Sequence, residues 1–265
     1  MTQLTGFLLV SKKMTRKKIP FAERLRKGEL LIGTLVSLPS PEITEILSNS
    51  GYDWLFIDAE HGAFNPQQAQ SMLQAAGDCP CVIRVPSGDE VWIKKALDIG
   101  AAGIIVPQVH TAEQAKQIVK SCKYSPQGSR GVGIGRAHMY GMGFEDYIKY
   151  ANKNTAVILQ AESQQAINNI EAIAAIKGVD AILIGPYDLS ASLGKIGQVT
   201  HPVVVKAIDK VAKTCKKAGI KLGFFGVNTD AVKPYMKKGF TLITVGVDTL
   251  FLIKSAKETL ALVRG

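Results

Sequence analysis

Eight short apolar runs alternate along this chain with longer segments of helical periodicity. The runs are LIGTLV (31–36), WLFID (54–58), CVIRV (81–85), GIIVP (103–107), AVILQ (156–160), AILIG (181–185), KLGFF (221–225) and LITVG (242–246). Most are hydrophobic throughout, which is typical of strands covered on both faces of a parallel sheet. Eight βα units in a chain of 265 residues predict an α/β fold with one (β/α)8 TIM barrel, since such barrels need about 250 residues.

The chain divides into two predicted parts. Residues 1–28 form a basic extension and a first helix, and residues 29–265 form the catalytic barrel, while the sequence leaves open whether Met14 is the true start. Helices are predicted at 41–50, 66–77, 89–99, 112–123, 165–176, 202–218 and 230–238, and several of them end on glycine. The glycine-rich stretch 125–143 is long for a connection in a compact domain, which predicts a functional loop over the site.

Charge and cysteine content limit the possible partners and location. The net charge of +10 is concentrated at residues 12–18 and in the helix at 202–218, and neither segment has aromatic residues to stack bases. We therefore expect a solvated arm and helix face rather than a surface that binds nucleic acid. No run is long enough to span a bilayer, the basic residues follow the apolar stretch at the N-terminus, and the four cysteines form no CxxC pair. These features predict a cytoplasmic protein with reduced thiols and no membrane partner.

Polar residues concentrate where strands two, three, five and six end. Barrel enzymes build their sites at the carboxyl ends of the strands, so these residues are the candidates for chemistry. Glu162 and Asp188 follow consecutive strands and should lie close together, which requires either a proton or a cation between them. Oxygen ligands favour Mg²⁺ or Mn²⁺, with Co²⁺ possible. The alternative is that each carboxylate caps a helix or pairs with an arginine.

Arg84 and His61 are the other candidates near this mouth. Arg84 lies in the apolar run CVIRV and must meet an anion, since a buried unpaired guanidinium is too costly. That anion is either a structural carboxylate, Asp58 or Glu60, or a substrate oxygen that gains negative charge. His61 follows Asp58 by three residues, so an Asp58–His61 hydrogen bond would fix its tautomer for acid–base work, although many loop histidines are structural.

Two absences narrow the chemistry. None of the eight runs carries a lysine in its body or at its C-terminal end, which argues against a Schiff base and for a metal-stabilised enolate. The GVGIG stretch at 131–135 does not pass from a strand into a helix, so no nucleotide cofactor is expected.

Several separated motifs carry a family resemblance between Gly33 and Leu252. WLFIDAEHG, VIRVP, LDIGAAGIIVPQV, YSPQGSRGVG, QAE and GVDAILIGPYDLSASLG, in this order, resemble the HpcH/HpaI family of class II pyruvate aldolases in the phosphoenolpyruvate/pyruvate superfamily. The sequence resembles in particular the family members that act on 4-hydroxy-2-oxoheptanedioate and 2-dehydro-3-deoxyglucarate. It implies reversible cleavage of a 4-hydroxy-2-oxo acid to pyruvate and an aldehyde.

The resemblance also implies roles for individual residues. Glu162 and Asp188 would ligate the metal that pyruvate chelates, Arg84 would stabilise the enolate oxygen, and Gln160 would support the site. His61, oriented by Asp58, would relay protons through water, and Gly185, Pro186 and Tyr187 would line the substrate pocket. It further implies a homo-oligomer, a hexamer built as a trimer of dimers, with exchange of the C-terminal helix and with Asp98 contributed by a neighbouring subunit.

Tyr187 is a departure from the family pattern, which commonly has a small residue at this position. The identity of the aldehyde therefore does not follow from the resemblance. Two rival functions also stay open. A CoA-ester lyase of the malyl or citryl type would share the metal and the enolate but would need a surface for a long nucleotide. A non-catalytic barrel whose basic arm binds nucleic acid is the alternative of another class.

Overall fold

The computed structural model describes residues 19–265 as a closed parallel barrel with strand order β1 to β8. The predicted basic run at 12–18 and Met14 lie outside the described residues. The strands are β1 (Leu31–Val36), β2 (Trp54–Asp58), β3 (Cys81–Arg84), β4 (Gly103–Val106), β5 (Ala156–Ala161), β6 (Ala181–Ile184), β7 (Lys221–Gly226) and β8 (Leu242–Val247). The predicted fold class is confirmed, and each strand ends within one residue of the position predicted from the sequence.

Helices surround the barrel. They are α1 (Phe21–Lys27), α2 (Pro41–Asn49), α3 (Pro66–Ala75), α4 (Glu90–Asp98), α5 (Ala112–Cys122), α6 (Phe144–Asn154), α7 (Gln164–Asn168), α8 (Ile170–Ala174), α9 (Pro186–Ser192), α10 (Pro202–Ala218), α11 (Thr229–Lys237) and α12 (Asp248–Arg264). The sequence analysis missed α6 and α9, and the helix predicted at 165–176 is broken at Asn169, whose backbone leaves the helical region.

Two apolar cores hold the barrel together. The larger one lies between the strands and the outer helices, and the smaller one fills the barrel interior. Helix α1 closes the N-terminal mouth, because Phe21 and Leu25 join the interior core and the Phe21 ring lies 5.7 Å from the Trp54 ring. Ion pairs from Arg24 to Asp53 and from Arg26 to Asp180, at 2.8 and 2.6 Å, fix this helix against the barrel.

The glycine-rich stretch 125–143 does not lie over the predicted site. It connects the end of α5 to α6 and the start of β5, and both the end of a barrel helix and the start of a strand lie at the N-terminal mouth. Arg130 in this stretch pairs with Asp98 at 2.7 Å, and Arg136 donates to the carbonyl of Ile99 at 2.8 Å. The prediction of a loop over the chain's own site was therefore wrong, because loop length was considered without the direction of the connection.

The last helix packs least against the rest of the chain. Of the residues in α12 only Asp248 is buried, although the helix carries apolar side chains that are exposed (Leu250, Phe251, Leu252, Ile253, Leu260, Leu262 and Val263). Within residues 19–265, no helix combines the length and apolar character that a membrane span requires.

Gly33 on β1 lies so close to Trp54 on β2 that there is no room for a side chain at this position. A Cβ atom there would lie 2.6 Å from the Trp54 ring and 2.6 Å from the Trp54 carbonyl oxygen. We expect Gly33→Ala to lower the free energy of unfolding by about 1–3 kcal/mol, because the core cannot yield to the extra methyl group. Urea denaturation measures this difference.

The matched control is Gly133→Ala, because a Cβ atom at Gly133 meets no atom within 4 Å. Equal denaturation midpoints for the two variants would contradict the packing argument.

Candidate active site

The pairing of β2 with β3 places Asp58 directly beside Arg84 at the C-terminal mouth. Arg84 donates from Nε to Asp58 Oδ1 at 2.9 Å and from Nη2 to Asp58 Oδ2 at 2.7 Å, and both side chains are buried. A second carboxylate oxygen, Glu60 Oε2, lies 3.2 Å from Arg84 Nε. Asp58 and Glu60 are thus the anions that Arg84 contacts within the chain. The hydrogen bonds to Asp58 use Nε and Nη2 of Arg84 and do not involve Nη1.

This geometry corrects the predicted Asp58–His61 dyad. Asp58 accepts from the backbone N–H of His61 at 3.3 Å, but its carboxylate is engaged by Arg84 rather than by the His61 ring. The ring has Nε2 3.8 Å from Glu60 Oε2, and the His61 side chain is 66% exposed. The strand register explains the difference, because it places Arg84 beside Asp58, where it engages both carboxylate oxygens.

Glu162 is held at the mouth by Gln108, which follows β4, and by Gln160 on β5. Its Oε1 accepts from the backbone N–H of Gln108 at 2.8 Å, and its Oε2 accepts from Nε2 of Gln160. Gln160 and Glu162 project on the same side because side chains two residues apart share a strand face. The side chain of Glu162 is buried, as is that of Gln160.

Asp188 reaches the same region from α9. Gly185 follows β6 and is the N-cap residue of α9, Pro186 begins the helix, and Asp188 is an exposed residue in its first turn. The helices that follow β5 and β6 have Ser163 and Gly185 as N-cap residues, so neither Glu162 nor Asp188 is a helix cap. Glu162 is hydrogen-bonded to Gln108 and Gln160 rather than to an arginine.

A cavity of about 260 Å³ opens beside these groups. It is lined by Leu35, Phe56, His61, Arg84, Gln160, Leu183, Ile184, Gly185, Pro186, Tyr187, Asp188 and Phe225. Most of the residues that the sequence analysis assigned to the site therefore share one cavity. Asp58 and Glu162 are not among the lining residues, but each is hydrogen-bonded to one of them, Asp58 to Arg84 and Glu162 to Gln160.

Burial and charge crowding raise the pKa of Glu162 to about 7. Burial is the largest cause, and the charges of Asp188 and Glu60 raise it further, whereas the Gln108 N–H and Arg84 lower it. The pKa of Glu60 is also raised, mainly by burial and against the attraction of Arg84 and His61. An acidic group with a pKa near neutrality in a cleft is a frequent mark of a functional site.

The donor set fits a hard divalent cation. Gln160 Oε1 is buried and has no hydrogen-bond partner, beside the Glu162 carboxylate and in the same cavity as Asp188. Oxygen ligands of this kind suit Mg²⁺ or Mn²⁺, and a cation would also relieve the repulsion that raises the Glu162 pKa. Within residues 19–265, no group of three or more His, Cys, Asp or Glu side chains could hold a metal, so further ligands would be water or substrate.

Asp98 is the one predicted site residue that the structure places elsewhere in its own chain. It is the last residue of α4, at the N-terminal mouth, where it pairs with Arg130. Because the helix runs away from the C-terminal mouth, Asp98 cannot reach the cavity of its own barrel.

Sequence reasoning missed the contribution of Gln108. Its backbone adopts φ 55°, the left-handed region that is uncommon outside glycine, and its N–H points at Glu162. A main-chain donor leaves no trace in residue type, so no sequence signal was available. Glu60 was considered only as a partner for Arg84, yet it contacts both Arg84 and His61.

Known proteins share this fold and much of this sequence. A family model described as HpcH/HpaI aldolase/citrate lyase matches residues 31–255. The chain belongs to this family. The 2-keto-3-deoxy-L-rhamnonate aldolase of Escherichia coli K12 is 39% identical over 247 residues, which cover 92% of each chain.

Solved structures agree with this assignment. An HpcH/HpaI aldolase/citrate lyase family protein from Burkholderia cenocepacia J2315 is 38% identical, with a TM-score of 0.89 over 92% of this chain and 98% of that one. An HpcH/HpaI aldolase from Desulfitobacterium hafniense DCB-2 is 28% identical, with a TM-score of 0.87 over 93% and 97%. The family resemblance seen in the motifs is confirmed, and the protein is an enzyme of the aldehyde-lyase class. The non-catalytic alternative is not supported.

A substitution at Gly185 can test whether the positions of the Glu162 carboxylate and the Gln160 amide matter for activity. A Cβ atom there would lie 2.7 Å from Glu162 Oε2 and 2.8 Å from Gln160 Nε2. We expect Gly185→Ala to fold and to lose up to about a hundredfold in kcat/KM for aldol cleavage, because a misplacement of a site group by about 1 Å has an effect of that size.

The control is Gly131→Ala, whose added Cβ would meet only the Lys94 side chain, at 3.6 Å or more. Full activity of Gly185→Ala at unchanged thermal stability would show that Glu162 and Gln160 tolerate displacement.

Proposed function

We propose that the cavity at the C-terminal mouth catalyses reversible, divalent-metal-dependent cleavage of a 4-hydroxy-2-oxo acid to pyruvate and an aldehyde. The observation that carries the proposal is the buried Glu162, whose pKa is raised to about 7, next to the unpartnered Gln160 Oε1 and close to Asp188. Mg²⁺ or Mn²⁺, with Co²⁺ as a further possibility, would be held by Glu162 and Asp188. The bound cation would act as a Lewis acid toward the 2-oxo acid.

The reaction needs a place for the electron pair released when the bond breaks. Removal of the proton from the 4-hydroxyl group lets the C3–C4 bond break, which forms the aldehyde and leaves the electron pair as the enolate of pyruvate. A proton delivered to C3 then completes pyruvate. Arg84 supports the enolate oxygen in this proposal, because its position is fixed by Asp58 while Nη1 stays outside that pair.

His61 is the proposed proton relay, acting through water. Its ring is 66% exposed at the cavity rim and lies beside Glu60 rather than Asp58. Asp58 therefore takes a different part from the one first predicted. It holds the guanidinium of Arg84, and Glu60 is the carboxylate next to the His61 ring.

The size and walls of the cavity indicate a small acid as the substrate. About 260 Å³ accommodates pyruvate and a short aldehyde, with Gly185, Pro186 and Tyr187 as substrate contacts. The name of the Escherichia coli relative, a 2-keto-3-deoxy-L-rhamnonate aldolase, supports a 2-keto-3-deoxy acid of this type. A CoA-ester lyase would need further room for the nucleotide.

Assembly and location complete the proposal. The exposed apolar side chains of α12 support a homo-oligomer, a hexamer built as a trimer of dimers, in which this helix packs on another subunit. Asp98, remote from its own cavity, would then serve a neighbouring one. Four free cysteines support a reducing, cytoplasmic location.

Metal removal is the primary test. Chelator treatment should abolish pyruvate formation, and Mg²⁺ or Mn²⁺ should restore it. We expect Glu162→Gln and Asp188→Asn each to lower kcat/KM at least about a hundredfold in a coupled pyruvate assay, because each removes one charged ligand. The exposed Glu45 provides the control variant Glu45→Gln, which should keep full activity. Activity that persists in chelator, or covalent trapping of pyruvate by borohydride, would refute the proposal.

The pH dependence of metal binding follows from the pKa of Glu162. Below about 7 the buried carboxyl holds a proton that the cation must displace, so Mn²⁺ affinity should fall about tenfold per pH unit from pH 7 to 5. Isothermal titration calorimetry in buffers of different ionisation enthalpy should detect release of about one proton near pH 6.

The stability of the metal-free protein should fall as the pH rises, whereas its affinity for Mn²⁺ should increase. A folded-state pKa raised above the ordinary value of 4.5 stabilises the fold at low pH, and this contribution is lost as the pH rises through about 7. We therefore expect the thermal unfolding temperature of the wild-type chain to fall between pH 5 and 8. Glu162→Gln should not show this fall, because its side chain does not titrate. Identical pH profiles for both chains would refute the assigned pKa.

A further inference from the structure

The connection between β4 and α5 contacts the segment after β5 at two points. Glu162 Oε1 accepts from the backbone N–H of Gln108 at 2.8 Å, and Ser163 Oγ lies 2.8 Å from Nδ1 of His110. The two contacts are close together in sequence, since His110 is two positions after Gln108 and Ser163 directly follows Glu162. The first contact reaches a proposed metal ligand, whereas neither member of the second lines the active-site cavity.

His110 is hydrogen-bonded to three different parts of the chain. Its backbone N–H donates to Oε1 of Gln114 in α5 at 2.7 Å, and its carbonyl oxygen accepts at 2.8 Å from Nδ2 of Asn169, at the break between α7 and α8. The contact of its ring with Ser163 is the third. His110 is therefore fixed by both of its backbone polar groups and by its ring, and it ties the connection after β4 to the segment that carries Glu162.

The Ser163 hydroxyl has a part beyond the capping of α7. Ser163 is the N-cap residue of this helix, and its Oγ accepts from the backbone N–H of Ala166 at 3.1 Å. An Asp or Asn side chain would accept this hydrogen bond equally well. A hydroxyl also has a proton to donate, and Nδ1 of His110 accepts it in the neutral ring that carries its proton on Nε2. The two residues thus form a hydrogen bond that helix capping does not require.

Gln108 needs its surroundings to hold its backbone. Its φ of 55° lies in the left-handed region, which is uncommon for a residue with a Cβ atom and persists only where the surrounding structure holds it. The Gln108 side chain is exposed, so its own packing does not hold the turn. The residues that follow must do so. Val109 packs in the larger core, and His110 supplies the hydrogen bond to the segment that carries Glu162.

We propose that His110 is a positioning residue for the metal site. Its hydrogen bond to Ser163 holds the connection after β4 against the segment after β5, and this keeps the Gln108 N–H on the Glu162 carboxylate. The inference rests on the proposed metal-dependent function, because it concerns the orientation of a proposed ligand. Hydrogen bonds behind a ligand fix the direction in which its oxygen faces the cation. Without the His110 bond, Oε1 of Glu162 loses its fixed donor, while Oε2 keeps the contact with Gln160.

Mn²⁺ affinity measures this role. We expect His110→Ala to bind Mn²⁺ about tenfold more weakly than the wild-type chain in isothermal titration calorimetry, since loss of a group that orients a metal ligand commonly has an effect of that size. His110→Asn should bind Mn²⁺ as the wild type does, because its amide oxygen can accept from the Ser163 hydroxyl in place of Nδ1. Wild-type affinity in His110→Ala, or no recovery in His110→Asn, would contradict the proposal.

The matched control is His201→Ala. Nδ1 of His201 accepts from the backbone N–H of Val203 at 3.3 Å, so this substitution also removes a histidine hydrogen bond at the start of a helix, in this case α10. The Mn²⁺ affinity of His201→Ala should equal that of the wild type. An equal loss of affinity in His201→Ala and His110→Ala would show a general effect of lost helix contacts and would overturn the proposal.

Ser163→Ala removes the same hydrogen bond from its other side. It should weaken Mn²⁺ binding about as much as His110→Ala, and the double variant should bind no more weakly than either, because the two substitutions remove one interaction. Ser40→Ala controls for the lost cap, since Ser40 caps α2 by accepting from the N–H of Ile43 at 3.1 Å. Losses of affinity that multiply in the double variant would show that the two residues act separately, which the proposal forbids.

Amide exchange in the metal-free protein tests the contact without turnover. The Gln108 N–H should exchange with deuterium at least about tenfold faster in His110→Ala than in the wild type, because the connection opens more often. In His201→Ala it should exchange at the wild-type rate. Activity that persists in chelator would refute the proposed metal function, and faster exchange at Gln108 would still support the positioning role of His110. Unchanged exchange in His110→Ala would overturn that role even where the enzyme depends on metal.

Discussion

The pairing of β1 with β8 is the interaction on which the rest of the structure depends. It joins Leu31 to Leu242 and Ile32 to Ile243, and it turns an open parallel sheet into a closed barrel. Closure removes both sheet edges, and because all eight strands are parallel their carboxyl ends surround one mouth. The side chains of Asp58, Arg84 and Glu162 meet for this reason, although they are distant in sequence.

Inside the closed barrel, the buried ion pair between Asp58 and Arg84 fixes the geometry of the site. A guanidinium at the end of β3 can remain charged in an apolar strand only if its hydrogen bonds are satisfied, and the β2–β3 register places Asp58 opposite it. The pair fixes the direction of Arg84 and limits its freedom to follow the substrate. On the other side of the cavity, Gly185 leaves the space in which Glu162 and Gln160 lie. The site is therefore largely formed before any ligand binds.

Much of the fold was predictable because apolar periodicity reports burial directly. Trp54–Asp58 and Leu242–Val247 are strands buried on both faces, and continuous hydrophobic runs identified them almost to the residue. Helix α6 was not predicted, since it follows an irregular stretch and buries only Ala151. The cavity residues Arg84, Gln160 and Asp188 were predicted from their position at strand ends, which requires only the barrel rule and the strand assignment.

The sequence alone determined the order of strands and helices, the residues at the C-terminal mouth and membership of an aldolase family, because each of these depends on local pattern or on residue identity. Only the tertiary structure decided that Asp58 binds Arg84 rather than the His61 ring, and that the 125–143 stretch lies at the opposite mouth. Both outcomes depend on strand register and on the direction of a connection, which set distances between residues far apart in the chain. The contact of Gln108 with Glu162 is of the same kind, because a main-chain N–H is common to nearly every residue and only its placement in space makes it part of the site.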